Sequence, residues 1–350
     1  MKKLKQACAN VKPLDAGIRR LVQKRLDSLT KPPGSLGQLE ELAIRIAEIQ
    51  GTESPHVRNK LVVVMAADHG VCEEGVSAYP SAVTAQMVKN FCEGGAAINV
   101  LARHASARVL VVDMGVAEKI SGNGHLNYRI ANGTSNFLKG AAMTEEQALQ
   151  SVETGMGIAD EAAQSGTDLI AGGDMGIGNT TSSSVITSLI TKTPAADVVG
   201  RGTGIGNEVL EKKIRVVHEA VRLHSGWRDG MDLLCRVGGF EIGGLAGLMI
   251  GVAGQQIPII LDGFIATAAA LITAEICPQT KAYMIAAHCS AEPGHELALR
   301  HLGLEPLLRW NMRLGEGTGA ALVFPLMEAA CRILAEMATF ESAQIAGKLQ

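Results

Sequence analysis

Short apolar, β-branched runs that end in charge and glycine recur along this chain, and helical stretches separate them. That alternation restricts the possible folds more than any other feature. LVVVMAADHG, ending at Gly70, has the pattern of a strand buried on both faces. Similar runs lie at Arg108–Met114, Asp168–Gly173, Leu233–Gly239, Ile257–Asp262 and Ala282–His288. Between them the apolar spacing predicts helices over Val83–Arg103, Thr144–Gln164 (opened by a Thr-x-x-Gln capping pattern), Glu208–His224, Phe264–Glu275 and Glu292–Leu302. Strand and helix taken in turn predict a parallel, doubly wound sheet with helices on both faces.

The two chain ends lack strand signals. Amphipathic spacing predicts helices over Ile18–Leu26 and Leu36–Ile49, with Pro32 and Pro33 stopping the first and Ser35 placed to cap the second. From Gly315 to about Ala338 the chain is apolar at helical spacing. No Pro-, Ser- or charge-rich linker and no internal repeat divides it. The expected architecture is α/β: a Rossmann-like doubly wound parallel sheet over residues 56–317, plus a small helical lobe built by both termini, 1–55 and 318–350.

At 350 residues the chain can bury a sizeable core. A formal charge of −3, with Lys and Arg scattered, gives no electrostatic reason to expect nucleic acid or an anionic membrane, so a small molecule is the expected partner. The uncharged stretch Ile242–Leu261 holds several glycines, two glutamines and Pro258, and it reads as a helix, a turn and a strand rather than a membrane span. Seven cysteines form no CxxC pair, and Cys235, Cys277 and Cys331 sit in apolar runs as small hydrophobes. The odd count without a secretion signal points to a reducing compartment, expected to be the cytoplasm.

Forty glycines cluster just after the apolar runs, at the strand ends where such sheets bind ligands. In GGDMGIGNTTSSS, Gly176 and Gly178 permit a tight turn, and Asn179, Thr180 and Thr181 open a helix, so amides and hydroxyls can converge on an anion such as phosphate. An ordinary strand-to-helix turn has the same composition, and neither a Walker motif nor G-x-G-x-x-G is present. GRGTGIGNE repeats the logic around Gly202, with Lys213 one to two turns into the next helix as a candidate point charge for phosphate. In RLGEGTGAAL, Glu316 stands between two glycines ahead of an apolar helix. It is either a capping acid or a general base left open to a flat ligand. Asp68 and His69 invite a metal or triad reading, but no HExxH, His cluster or nucleophile elbow accompanies them. A structural or ligand-orienting role suits them better.

Taken together and in order, KPPGSLGQLE, AADHGVCEEGVSAYPSAVTAQMV, GGDMGIGNTT, VGGFEIGGLAGLMIG, LDGF, SAEPG and RLGEGTGAAL resemble the nicotinate-nucleotide:dimethylbenzimidazole phosphoribosyltransferase family, which makes the α-riboside of the cobamide lower ligand. The resemblance runs from about residue 15 to residue 340. It implies a homodimeric glycosyltransferase, of Rossmann-like fold with a small lobe from both ends, that moves phosphoribose from nicotinate mononucleotide to 5,6-dimethylbenzimidazole or a related base. Neither metal nor cofactor is required. Carried over residue by residue, it makes Glu316 the general base and Asp174 a second acid assisting it. It places the phosphate at Gly176, Asn179, Thr180, Gly202 and Lys213, the ribose or nicotinate end at Asp262 and Ser290, and the acceptor wall at Tyr79 and Met87.

Two departures bear on specificity. Many members of the family carry Glu where this chain has Asp174, and losing one methylene draws the charge back by about 1.5 Å. Some carry Ser and Gln where Tyr79 and Met87 align, so the wall here is more apolar. An alternative keeps the donor and takes a phenolic or purine acceptor, with the chain as one subunit of a heteromer. Two further alternatives are a hydrolase that uses water as acceptor and a nucleotide-binding sensor without activity.

Overall fold

The computed structural model describes residues 1–120 and 122–346. In chain order the helices and strands are α1 (Lys2–Asn10), α2 (Ala16–Ser28), α3 (Gln38–Gln50), β1 (Lys60–Ala67), α4 (Ala82–Glu93), α5 (Ala97–His104), β2 (Ala107–Gly115), β3 (His125–Asn127), α6 (Glu145–Gln164) and β4 (Leu169–Met175). They continue with α7 (Asn179–Thr191), α8 (Ala195–Val198), α9 (Asn207–His224), α10 (Gly230–Val237), α11 (Phe240–Gly254), β5 (Ile259–Leu261), α12 (Phe264–Ile276), β6 (Met284–Ala286), α13 (Pro293–Leu302) and α14 (Thr318–Glu336).

All six strands are parallel, in the order β3-β2-β1-β4-β5-β6. β1 lies in the middle and is buried at every position, which explains its unbroken apolar run. Its side chains alternate between two helical layers. Val62 stands beside Gly317 and Ile98 on one face, whereas Met65 stands beside Gly244 of α11 on the other. Strand order reverses between β1 and β4, and that reversal opens a crevice at the carboxyl edge of the sheet.

Glycine sets how closely α6 and α11 cross. A Cβ at Gly155 would run into the backbone of Gly244 and Leu248, and one at Gly247 into that of Val152. The Ile242–Leu261 stretch is accordingly a core helix, a turn and strand β5, as its composition predicts. α14 has the length and apolarity of a membrane span, yet it packs against α3 and α5 with its apolar side buried.

α2, α3 and α14 pack together, so the two chain ends meet. Arg25 donates to Met337 O at 2.9 Å, and Leu29 pairs with Thr339 in an isolated antiparallel bridge. Residues 347–350 of the expected lobe lie outside the described residues.

Three local expectations are corrected, and one strand was not foreseen. The run over Leu233–Gly239 is not a strand but the end of helix α10. Leu233, Leu234 and Val237 share a helical face, Asp229 caps its start by accepting from Asp232 N, and Arg236 pairs one turn back with Asp232 at 2.9 Å. Val83–Arg103 is two helices, because Gly94 turns left-handed at φ +79° and ends α4. Ser35 does not cap α3; the helix starts after Gly37, and Glu40 turns back to accept from Leu36 N at 2.9 Å. The three-residue edge strand β3 is too short to register as a periodic pattern.

Candidate active site

The carboxyl ends of β1, β4, β5 and β6 deliver Asp68–His69, Asp174–Asn179, Asp262 and His288–Ser290 to one edge of the sheet. There a cleft of about 610 Å³ is walled by the 174–180 turn, the 202–203 loop, the start of α12, the 288–292 loop and residues 313–315. A larger hollow of about 1340 Å³ lies between α2, the 53–58 loop and α14, but no strand-end loop reaches it. Chemistry is therefore assigned to the smaller cleft.

One end of the cleft gathers groups that could hold an anion. After β4 the chain turns through Gly178 at φ +97° directly into α7, which aims the first amides and partial positive charge of that helix at the cleft. Thr180 sits in the first turn, and Lys213 reaches across from α9 to donate to its Oγ1 at 2.9 Å. Lys213 is 1% exposed, and burial lowers its pKa from 10.5 to about 8 despite the nearby Glu292 carboxylate. The 201–204 loop is clamped from two sides: Glu292 Oε1 accepts from Gly202 N at 2.8 Å, and Arg313 donates to Gly202 O at 2.9 Å.

The other end is acidic. Asp174 Oδ2 accepts from Asn179 at 2.9 Å, whereas Oδ1 is buried with no hydrogen-bond partner. Burial, reinforced by Asp262 and Glu241, raises the Asp174 pKa well above the usual carboxylate range, which favours its neutral form. Asp262 accepts from Gly317 N at 3.1 Å and Ala320 N at 3.0 Å, anchoring the start of α14. Burial lifts it to about 7, held there by those amides. Glu316 is 4% exposed; burial raises its pKa, while Ile98 N, in the first turn of α5, donates to it at 3.4 Å and pulls the other way.

Gly315, Glu316 and Gly317 have φ of +84°, +63° and +88°, three left-handed residues in succession. For glycine this is ordinary, but for glutamate it is strained by roughly 1–3 kcal/mol, and such strain concentrates at functional sites. A Cβ at Gly173 would strike the Glu316 backbone, so this turn lies flat against β4.

The cleft thus gathers Asp174, Gly176, Asn179, Thr180, Gly202 and Ser290 in one wall, with Lys213 in the adjoining recess. Asp262 lies beneath the wall, bonded to the α14 amides. Glu316 directly follows the last wall residue, Gly315, and its carboxylate turns toward α5 without lining the cleft. Tyr79 is exposed ahead of α4 and Met87 half-buried on α4, and neither lines the cleft.

Three wall residues escaped the motif reading. Glu292 and Arg313 lie within SAEPG and RLGEG and His288 two residues ahead of SAEPG, so their place in or near those motifs was the available signal. His295, buried behind that wall, is fixed as a neutral ring: its Nδ1 accepts from Ser290 N at 2.9 Å and its Nε2 lies 2.9 Å from Thr267 Oγ1, with burial lowering its pKa to about 3. His69 bonds Glu241 at 2.6 Å within the core under the 176–178 turn. Burial opposes its charge, but Glu241 and Asp68 outweigh that and raise its pKa.

A doubly wound sheet with an anion cradle and acids at its switch point defines a nucleotide-handling enzyme. The family described as phosphoribosyltransferase matches residues 11–345 of this chain. The nicotinate-nucleotide–dimethylbenzimidazole phosphoribosyltransferases of Roseiflexus sp. (strain RS-1) and Chloroflexus aurantiacus are each 52% identical to it, the first over 100% of both chains and the second over 96% of this chain and 97% of its own. A crystal structure of CobT from Thermus thermophilus superposes with a TM-score of 0.91 at 44% identity, covering 95% of this chain and 100% of the other. The chain belongs to the nicotinate-nucleotide–dimethylbenzimidazole phosphoribosyltransferase family.

Proposed function

We propose that this enzyme moves the 5-phosphoribosyl group of nicotinate mononucleotide to 5,6-dimethylbenzimidazole or a related aromatic base, giving an α-riboside phosphate and nicotinate. The observation that carries this is the pairing, in one strand-end cleft, of donors at Thr180 and Lys213 with the buried acid Asp174, while Glu316 follows the wall residue Gly315 just behind that wall. The donor and acceptor named for the Roseiflexus and Chloroflexus relatives support it.

The nucleotide phosphate lies against the start of α7, bonded by Asn179, Thr180, Lys213 and the Gly176 and Gly202 backbone. Asp262 and Ser290 order the ribose and nicotinate end. The nicotinate nitrogen already carries positive charge, so it departs as a neutral pyridine nitrogen and needs no proton. The acceptor attacks C1′ from the opposite face with its imine-type nitrogen, which inverts the β-nucleotide to an α-product, and it must lose the proton on its other ring nitrogen. Glu316 takes that proton; burial makes its carboxylate more basic than in water, which suits it to the task. Asp174, whose burial disfavours a second negative charge, has its unpartnered Oδ1 free to meet a substrate polar group. The acceptor must then sit on the α4–α5 side of Gly315, the side to which Glu316 turns and on which Met87 and Tyr79 form the wall. Holding both reactants in line makes the attack effectively intramolecular.

The same proposal divides the chain into the helical lobe 1–55 with 318–350 and the α/β domain 56–317. It has the enzyme act in the cytoplasm as a homodimer. Trp310 at 62%, Leu314 at 57% and Tyr79 at 52% exposure are apolar groups that a second copy would cover.

The test is to incubate the protein with nicotinate mononucleotide and, separately, benzimidazoles, phenols and adenine, following nicotinate release and the riboside phosphate. Release that requires a benzimidazole is the expected result. Equal release without any base would establish a hydrolase and overturn the proposal.

A further inference from the structure

We propose that the buried His69–Glu241 ion pair is a positioning pair for the nucleotide, fixing the 176–178 turn so that the first amides of α7 meet the phosphate. The proposal rests on the assignment of the phosphate to that turn.

The two side chains are 1% and 0% exposed and bond at 2.6 Å, although one ends β1 and the other opens α11. Both lie beneath the turn and bond each other, so they act on the nucleotide through the turn and not by touching it. What they touch is the turn. A Cβ at Gly178 would lie 3.2 Å from His69 Cβ and 2.6 Å from Cys72 Sγ, and one at Gly176 would lie 3.5 Å from Glu241 Oε1. Glycine lets the turn settle directly onto the pair. On the far side Gly239 packs as closely, leaving the pair no room to move: a Cβ there would lie 2.5 Å from Glu241 Oε2.

Neighbouring contacts hold the middle residue of the turn by its backbone. Cys72 Sγ donates to Ile177 O at 3.1 Å, and Ile177 N donates to Thr84 Oγ1 at 3.2 Å. Thr84 in turn donates to Asp68 Oδ1 at 2.7 Å, and Asp68 precedes His69. The Thr84 contact therefore leads back to the end of β1, as His69 itself does. A buried pair of this kind adds little to net stability compared with apolar residues of similar volume, so its retention is better explained by the geometry it imposes.

The experiment compares Glu241→Gln, the double variant His69→Phe/Glu241→Leu, which leaves no unpaired charge, and Lys213→Met. Steady-state kinetics are measured with each substrate varied, and inorganic phosphate binding is measured by calorimetry. For the folded double variant, KM for nicotinate mononucleotide is expected to rise at least tenfold and phosphate binding to weaken in parallel, with KM for the base unchanged. Glu241→Gln, which keeps the hydrogen bond, recovers most of the loss. A folded double variant with wild-type nucleotide KM overturns the positioning role while Lys213→Met still raises that KM. If Lys213→Met leaves it unchanged as well, the phosphate assignment itself fails and the inference falls with it.

Discussion

Replacing Lys213 with methionine is expected to weaken nucleotide binding and stabilise the fold at the same time. Burial holds the ammonium at a pKa of about 8 against 10.5 when exposed, roughly 3 kcal/mol against the charged form. The folded pKa lies below the unfolded one, so between about pH 8 and 10.5 the unfolded chain binds more protons. The penalty is complete below pH 8 and fades as the pH climbs to 10.5, so wild-type stability rises across that window. Methionine removes the penalty and also the hydrogen bonds to Thr180 at 2.9 Å and Gly200 O at 3.4 Å, about 1 kcal/mol each. The balance is a gain of about 1 kcal/mol at pH 7, with a flatter stability profile from pH 8 to 10. The phosphate meanwhile loses a charge-assisted hydrogen bond of about 1.5–3 kcal/mol, which is roughly 10- to 150-fold in KM. Urea unfolding at pH 7 and pH 10, with steady-state kinetics on the same preparations, reads both effects. A variant clearly less stable than wild type at pH 7, or one with unchanged nucleotide KM, would refute the reasoning.

Glu316→Gly should relieve a left-handed residue and be as stable as wild type or up to about 1 kcal/mol more so, while turnover falls at least about a hundredfold; a variant that is destabilised would contradict the strain. Gly155→Ala drives a Cβ into the backbone of α11 and is expected to lose about 3 kcal/mol or more in denaturant titration. A loss under about 0.5 kcal/mol would show that the crossing can yield. His295 has a folded pKa of about 3 against an ordinary 6.5, so the stability it contributes is complete above pH 6.5 and falls as the pH drops toward 3. His295→Gln should show a shallower loss of stability from pH 7 to pH 5, and identical slopes would count against a neutral buried ring.

Central strands and their glycine-rich ends were legible because a strand buried on both faces must be continuously apolar and its ligand loop must be small. β1 and the 172–181 turn illustrate this. Leu233–Gly239 misled because a short apolar run has no period of its own; the Asp229 cap and the Asp232–Arg236 pair mark it as helix. The meeting of the 174–180 turn with Lys213 was suggested by GGDMGIGNTT and the lysine one unit later, since glycines, hydroxyls and a lysine have few joint uses at a strand end. The Glu292 and Arg313 contacts to Gly202, and the His69–Glu241 pair, join residues 90, 111 and 172 positions apart, which no local pattern reveals. The direction of the Glu316 side chain likewise depends on α5, far away in sequence.

Proton removal by Glu316 is tested most directly by single-turnover kinetics of Glu316→Gln with both substrates saturating, alongside a binding titration of nicotinate mononucleotide. Formation of the α-riboside phosphate should slow at least about a hundredfold with nucleotide affinity unchanged. A chemical step at wild-type speed would remove this carboxylate from the mechanism.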